Sequence, residues 1–250
     1  EQMNEKTVLP VKNDYGYYEI RLESIGGLGA NLCGKMLGEL GAVYLGLNSA
    51  SFSSYGSEKR GSPVKAFIRW CEQDMDLRVN SPIESPHILG LFHEAMAGKL
   101  PVTAGVTEET RVIVNTGASP DEMRERLKLH AGELTCVDAQ KIAMDCKSRV
   151  NMVMLGAIVR ASGFIPLDAA LSLARETIGK KYPALCEQNL EGIRRGYAEG
   201  VSRQFSDDGR FPAVPYTEAR DKWGYRNAPL GGVNPRFGSS VSNDLSASRE

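Results

Sequence analysis

Residues Tyr17 to Gly41 read Y-Y-E-I-R-L-E-S-I-G-G-L-G-A-N-L-C-G-K-M-L-G-E-L-G. Through Ile25 the stretch alternates apolar with polar residues, as a strand does. Beyond it Leu32, Met36, Leu37 and Leu40 recur at helical spacing. Gly26, Gly27 and Gly29 therefore fall at a strand-to-helix turn, the opening unit of an α/β domain.

Further strands are predicted at Val43 to Leu47 and at Val64 to Trp70. The latter puts Val64, Ala66, Ile68 and Trp70 on one face and Lys65, Phe67 and Arg69 on the other. Ser85 to Gly98 predicts a helix, with an N-cap serine, proline at the first helical position and a glycine stop. Strands at Arg111 to Asn115 and Glu133 to Val137 bracket S-P-D-E-M-R-E-R-L-K-L, a second proline-started helix. Asp138 to Ala161, Leu167 to Ile178 and Ala184 to Tyr197 follow as helices, with Asp138 as a cap and Lys141 on the surface. Strands alternating with helices imply an open, mostly parallel, Rossmann-like sheet with helices on both faces. That domain is assigned to residues 1–200.

From 201 to 250 helical patterns fade and four prolines appear, yet six of the chain's 18 aromatic residues lie there: Phe205, Phe211, Tyr216, Trp223, Tyr225 and Phe237. A disordered tail is poor in aromatics, so this segment reads as an extended arm that packs on partner subunits in preference to its own domain.

Lys plus Arg number 30 and Asp plus Glu 31 in the 250 residues. No global basic field attracts nucleic acid or an anionic membrane, and neither is expected as a partner. A chain of this size can bury about 70 to 75% of its unfolded surface and needs no staples. The apolar run Val150 to Val159 is too short to cross a bilayer, and E-Q-M-N-E-K-T-V lacks the apolar core of a secretion signal. A cytoplasmic protein is expected. Cys33, Cys71, Cys136, Cys146 and Cys186 are widely spaced and form no C-x-x-C pair, which predicts reduced, mostly buried thiols and no metal or cluster held by this chain alone. His87 and His93 share the helix predicted at Ser85 to Gly98 but point to different faces. Ordinary polar or surface roles are expected for all three histidines. No G-x-S-x-G nucleophile elbow occurs.

Two stretches carry candidate chemistry. Gly26-Gly27-Leu28-Gly29 can bring backbone close to a phosphate at a helix N-terminus. However, Leu32 stands where a G-x-G-x-x-G fingerprint read from Gly27 needs its third glycine, and no acidic ribose ligand follows Leu47. A tight turn serving packing, or another phosphate-bearing ligand, remains open beside a dinucleotide. The second stretch is the loop Ser51 to Gly61, S-F-S-S-Y-G-S-E-K-R-G. It reads either as a solvated connector with a charged tip or as an anion site. In the second case serine hydroxyls, main-chain N-H groups, Lys59 and Arg60 converge beside the glycine turn.

G-G-L-G-A-N ahead of a helix, together with S-S-Y-G-S-E-K-R-G-S-P-V-K-A-F-I-R, resembles the gamma subunit of the 2-oxoacid:ferredoxin oxidoreductases, the pyruvate synthase group. R-V-N-M-V-M-L-G-A (Arg149 to Ala157) and N-L-E-G-I-R-R-G-Y (Asn189 to Tyr197) are similar to that family's later helices. The resemblance spans roughly residues 17 to 200, and Y-G-x-E-x-R-G at Tyr55 to Gly61 is its most specific part. It implies a component of a complex that oxidatively decarboxylates a 2-oxoacid and passes electrons to ferredoxin. Thiamine diphosphate, Mg²⁺ and [4Fe-4S] clusters would be held on alpha, beta and ferredoxin-like partners. It also implies that Gly27, Gly29, Ser57, Lys59 and Arg60 face coenzyme A (CoA) where an acyl-CoA is the product, with no catalytic residue on this chain.

N-A-P-L-G-G-V through S-N-D-L-S-A-S-R resembles the linker to a ferredoxin-like delta domain, although no C-x-x-C-x-x-C run is present. Between Cys71 and Arg111 the chain departs from the family pattern, lacking the usual acidic stretch. Which 2-oxoacid is used lies outside this chain. The alternatives are a free-standing dinucleotide-binding oxidoreductase or regulatory nucleotide-binding protein, and a pure assembly subunit. The missing acidic ribose ligand and the aromatic arm count against the free-standing enzyme.

Overall fold

The computed structural model describes residues 7–26, 28–55, 62–77, 79, 81–216 and 226–229. In chain order these form β1 (Tyr18–Ile25), α1 (Leu28–Glu39), β2 (Asn48–Tyr55), β3 (Pro63–Cys71), β4 (Ile88–Leu91), β5 (Arg111–Asn115), α2 (Pro120–Leu127), β6 (Gly132–Val137), α3 (Ala139–Cys146), α4 (Val150–Ser162), α5 (Leu167–Ala174), α6 (Cys186–Glu199), β7 (Val201–Phe205) and β8 (Arg226–Pro229). Among the described residues they build an 8-stranded sheet in the order β7-β6-β5-β4-β1-β3-β2-β8. The parallel strands are gathered at its centre, where β4 lies beside β1, β5 beside β4, and β6 beside β5. On the other side of β1, β3 and then β2 extend the sheet antiparallel. The open α/β class expected from the sequence is therefore present, in mixed form.

Strand alternation sorts the side chains onto two faces. Tyr18, Ile20 and Leu22 of β1, Ala66, Ile68 and Trp70 of β3, and Ile88 and Ile113 join the large apolar cluster under α1, α3, α4, α5 and α6. Opposite them Leu89, Leu91, Val112, Val114 and Leu134 pack with Met123 and Leu127 of α2 and with Met96, Val102 and Val106. The helices α4 and α6 approach so closely that a Cβ on Gly156 would sit 2.0 Å from the Ile193 carbonyl oxygen, and one on Gly196 2.0 Å from that of Val153. Ser119 opens α2 with a full capping box, its hydroxyl accepting from Glu122 N-H while the Glu122 side chain returns to the Ser119 backbone. Asp138 caps α3, its Oδ1 accepting from Lys141 N-H at 2.9 Å.

Four segments differ from expectation. Where a strand is predicted at Val43 to Leu47, Leu40–Tyr44 continues α1 as a π-helical turn, and the strand comes later, at Asn48–Tyr55. The serine-rich start of the supposed loop thus lies within β2, because small hydroxyl side chains fit the tight contact with α1: a Cβ on Gly38 would lie 2.9 Å from Ser51 Oγ. The helix predicted over Ser85 to Gly98 is instead β4 followed by one short 3-10 turn at Glu94–Met96. Its apolar run is a strand buried on both faces, which periodicity cannot separate from a helix. The long helix over Asp138 to Ala161 breaks in two at Lys147, whose φ is 53°. The arm also starts at home. β7 pairs antiparallel with β6, residues 206–216 run over the domain, and β8 pairs antiparallel with β2 at the far edge.

Candidate functional site

The carboxyl ends of the parallel strands meet the turn after β1. Gly26 has φ +77°, a conformation that favours glycine, and among the described residues no atom lies within 4 Å of where its Cβ would be. Gly29 has a different constraint. It sits in the first turn of α1, and a Cβ there would meet the Phe92 ring at 3.0 Å. Of the candidate contacts, Gly29 is therefore placed against Phe92, while Gly27, Ser57, Lys59 and Arg60 lie outside the described residues.

The residues that flank the loop are described, and both are tied to this corner. Gly26 N-H donates to the Ser62 carbonyl at 3.3 Å, and Asn31 Nδ2 of α1 donates to Tyr55 Oη at 3.0 Å. Tyr55 and Val64 are cross-strand partners, so the connection between them is the tip of the β2–β3 hairpin. The residues on either side of the loop, Tyr55 and Ser62, are thus bonded to α1 and to the glycine turn, and the strands that carry them pair antiparallel.

β1 leads to α1 on one face, whereas β4 leads to the Glu94–Val106 segment on the other, and such a divergence is where open α/β sheets bind ligands. His93 bridges it, with Nδ1 accepting from Ile25 N-H at 3.1 Å. The ring proton then sits on Nε2, and burial holds the imidazole below its ordinary pKa. Asn115 Nδ2 donates to Phe92 O at 3.0 Å and its Oδ1 accepts from Gln140 N-H at 3.2 Å. Thr116 Oγ1 bonds Glu94, which also faces Arg126 at 3.5 Å. Ser24 Oγ and Asn31 Oδ1 are buried with no hydrogen-bond partner among the described residues. The corner supplies donors and acceptors for holding a ligand.

Below it lies a group of residues that sequence reasoning missed. Glu19, Arg21 and Glu23 alternate along β1 opposite Arg69, Phe67 and Lys65 of β3, and every charged member is buried. Arg69 Nε donates to Glu19 Oε2 at 2.7 Å, and Lys65 Nζ and Arg21 Nε each lie 3.4 Å from the Glu23 carboxylate. Arg21 also donates to the carbonyls of Ile83 at 3.1 Å and Ala104 at 2.6 Å, pinning two loops. Burial, opposed by Glu23, lowers the Lys65 pKa. The available signal was the charge complementarity of E-I-R-L-E and K-A-F-I-R, legible once the strands are known to pair.

All five cysteines are free thiols. Burial pushes Cys136 up to about 12 and raises Cys33 and Cys71, so these are unreactive thiols. Among the described residues no group of three or more His, Cys, Asp or Glu is arranged to hold a metal ion, and no helix is long and apolar enough to cross a membrane.

An open α/β sheet with a glycine turn and a helix start at the carboxyl end of its parallel strands is a Rossmann-like domain. The model of the pyruvate ferredoxin/flavodoxin oxidoreductase family matches residues 19–199. Pyruvate synthase subunit PorC of Thermotoga maritima is 33% identical over 186 residues, covering 73% of this chain and 94% of that one. The common gamma subunit of the pyruvate/ketoisovalerate oxidoreductases of Thermococcus kodakarensis is 32% identical over 185 residues, 73% of this chain and 97% of the relative. The crystal structure of the Thermotoga maritima pyruvate oxidoreductase subunit superposes with a TM-score of 0.64 at 28% identity, over 76% of this chain and 99% of that one. The chain belongs to the pyruvate ferredoxin/flavodoxin oxidoreductase family, as the gamma subunit of a 2-oxoacid ferredoxin oxidoreductase complex.

Proposed function

We propose that this gamma subunit supplies the anion-receiving corner of its complex, with CoA as the ligand where the product is an acyl-CoA. Gly27, Gly29, Ser57, Lys59 and Arg60 are the contacts. The observation that carries this reading is the double anchoring of the hairpin, Gly26 to Ser62 and Asn31 to Tyr55, which ties both ends of the cation-bearing tip to a glycine turn and helix start. Phosphate groups then meet main-chain N-H groups and two cations, and Arg60 can grip an anion bidentately.

The thiamine diphosphate, Mg²⁺ and [4Fe-4S] clusters belong, on this reading, to alpha, beta and ferredoxin-like partners, with ferredoxin as acceptor. On the same reading the complex is cytoplasmic, and the arm assigned to residues 201–250 contributes to contacts with partner subunits.

The test is Lys59→Ala with Arg60→Ala in the assembled complex. KM for CoA should rise several-fold while kcat holds, because contacts to a remote phosphate stabilise ground and transition states alike. An unchanged KM in an intact complex returns the loop to a solvated connector. For a CoA-independent reaction the same variant reads out subunit affinity instead.

A further inference from the structure

The opposite end of the sheet holds a cavity of about 780 Å³, within the size range of ligand and docking sites. It lies at the amino ends of β1 and β4, away from the glycine turn. Its floor is closed by satisfied groups. Glu19 accepts from Arg69 and Asn13, Arg69 also donates to the carbonyls of Val79 and Ser81, and His87 Nδ1 accepts from Glu19 N-H. Nothing on the floor asks for a partner.

The rim is different. Lys12 is paired with Glu72 and Arg69 with Glu19. Asp14, Glu84 and Glu109 line the same cavity, are exposed, and make no ion pair among the described residues. Burial lowers the pKa of His87, so no imidazolium offsets these carboxylates at neutral pH. Beside them Tyr15 is 73% exposed, stacked on Tyr17 at 6.4 Å and 24°. It is held out on a built turn, since Asn13 Oδ1 accepts from both Tyr15 N-H and Tyr17 N-H at 3.0 Å. Val8 and Val11, 73% and 47% exposed, continue the apolar surface along the same segment.

An exposed aromatic ring on an ordered turn, an adjoining apolar strip and three carboxylates without an ion pair among the described residues, set around a pre-formed floor, complement one kind of occupant. We propose that this cavity is a docking surface for a basic segment of another subunit of the complex, with an arginine laid on Tyr15 and reaching Glu84 and Glu109. Arginine suits it better than lysine, because the planar guanidinium stacks on a ring while its fork reaches carboxylates. The ordered turn lowers the entropy lost on binding. The surface is separate from the CoA-facing corner, at the other end of the same strands.

Two experiments on the assembled complex test this. With Glu84→Lys and Glu109→Lys together, the affinity of this chain for the remaining subunits should fall by about tenfold or more and lose much of its salt dependence. Unchanged affinity overturns the proposal. With the photo-reactive residue p-benzoylphenylalanine at position 15, an arginine-containing peptide of another subunit should be captured. Capture confined to this chain, or a small molecule retained in the cavity by native mass spectrometry, overturns it. Should the double reversal fail to fold, Glu84→Gln with Glu109→Gln removes the charge at nearly constant shape and should weaken affinity in the same direction. Tyr15→Ala should weaken association and Tyr15→Phe restore it, which a role confined to the turn backbone would not produce.

Discussion

From β1, Tyr18, Ile20 and Leu22 point into the helix layer while Glu19, Arg21 and Glu23 point the other way, and both sets are buried. The helix side is an apolar core that tolerates exchange of similar volumes. The charged side is a network in which each member depends on the next. Tyr216 of the arm lies over it, its ring 4.9 Å from the Arg21 guanidinium carbon and 4.8 Å from Lys65 Nζ. One face of the strand is therefore held by area and the other by pairing, which predicts different responses to similar changes.

The sharpest test is Glu23→Leu, which leaves Arg21 and Lys65 buried without their shared carboxylate. Breaking a buried ion pair on one side typically costs about 3 to 5 kcal/mol. Ile20→Val on the opposite face should cost only about 0.5 to 1.5 kcal/mol. Chemical denaturation of both variants compares them directly. Equal losses would mean that the charged face is solvated in solution and that the contrast is false.

The helix side has its own intolerant point. Gly156→Ala forces a Cβ into the Ile193 carbonyl, and because that neighbour is backbone the whole α4–α6 crossing must open. Such overpacking costs about 1 to 3 kcal/mol, and Gly196→Ala at the same crossing should behave alike. The double variant should lose less than the sum, since one opening relieves both contacts. Strict additivity in denaturation would show that the two glycines act separately.

The apolar side was legible in the sequence because its pattern is local. Alternation marked β1 and β3, and Ser119-Pro120 marked the start of α2. The charged side was legible only as alternation, since Glu23 and Lys65 are 42 residues apart and become partners through the antiparallel register. β4 was hidden for another reason: Ile88, Leu89 and Leu91 are buried on both faces, so no period remains to read. At the corner, Gly26 and the hairpin could be marked by composition, but His93 could not. It was assigned to a helix, and only β4 puts it beside Ile25. What the start of the arm packs on was not legible, because aromatic content says that a segment packs and not on what. Phe205 joins the domain's own core, and Arg124 pairs with Asp208 at 2.9 Å.

The smallest expected effect concerns the two histidines that flank β4. His87 precedes the strand and His93 follows it, and each accepts a main-chain N-H of β1 through Nδ1, from Glu19 at 2.9 Å and from Ile25 at 3.1 Å. Together they clasp both ends of the pairing between β1 and β4. Burial is the leading cause that lowers both pKa values from the ordinary 6.5. Below pH 6.5 the unfolded chain therefore binds protons that the folded chain refuses, and stability must fall as pH drops through that window. Protonation also removes the Nδ1 acceptors, so the loss has a structural counterpart at Glu19 and Ile25. Thermal midpoints between pH 7.5 and 5.5 should decline for the native chain, with faster amide exchange at Glu19 and Ile25. The slope should flatten in a His87→Gln, His93→Gln variant, whose side-chain oxygens do not titrate. A slope that survives both substitutions would assign the pH response to other groups and leave the histidines as simple spacers.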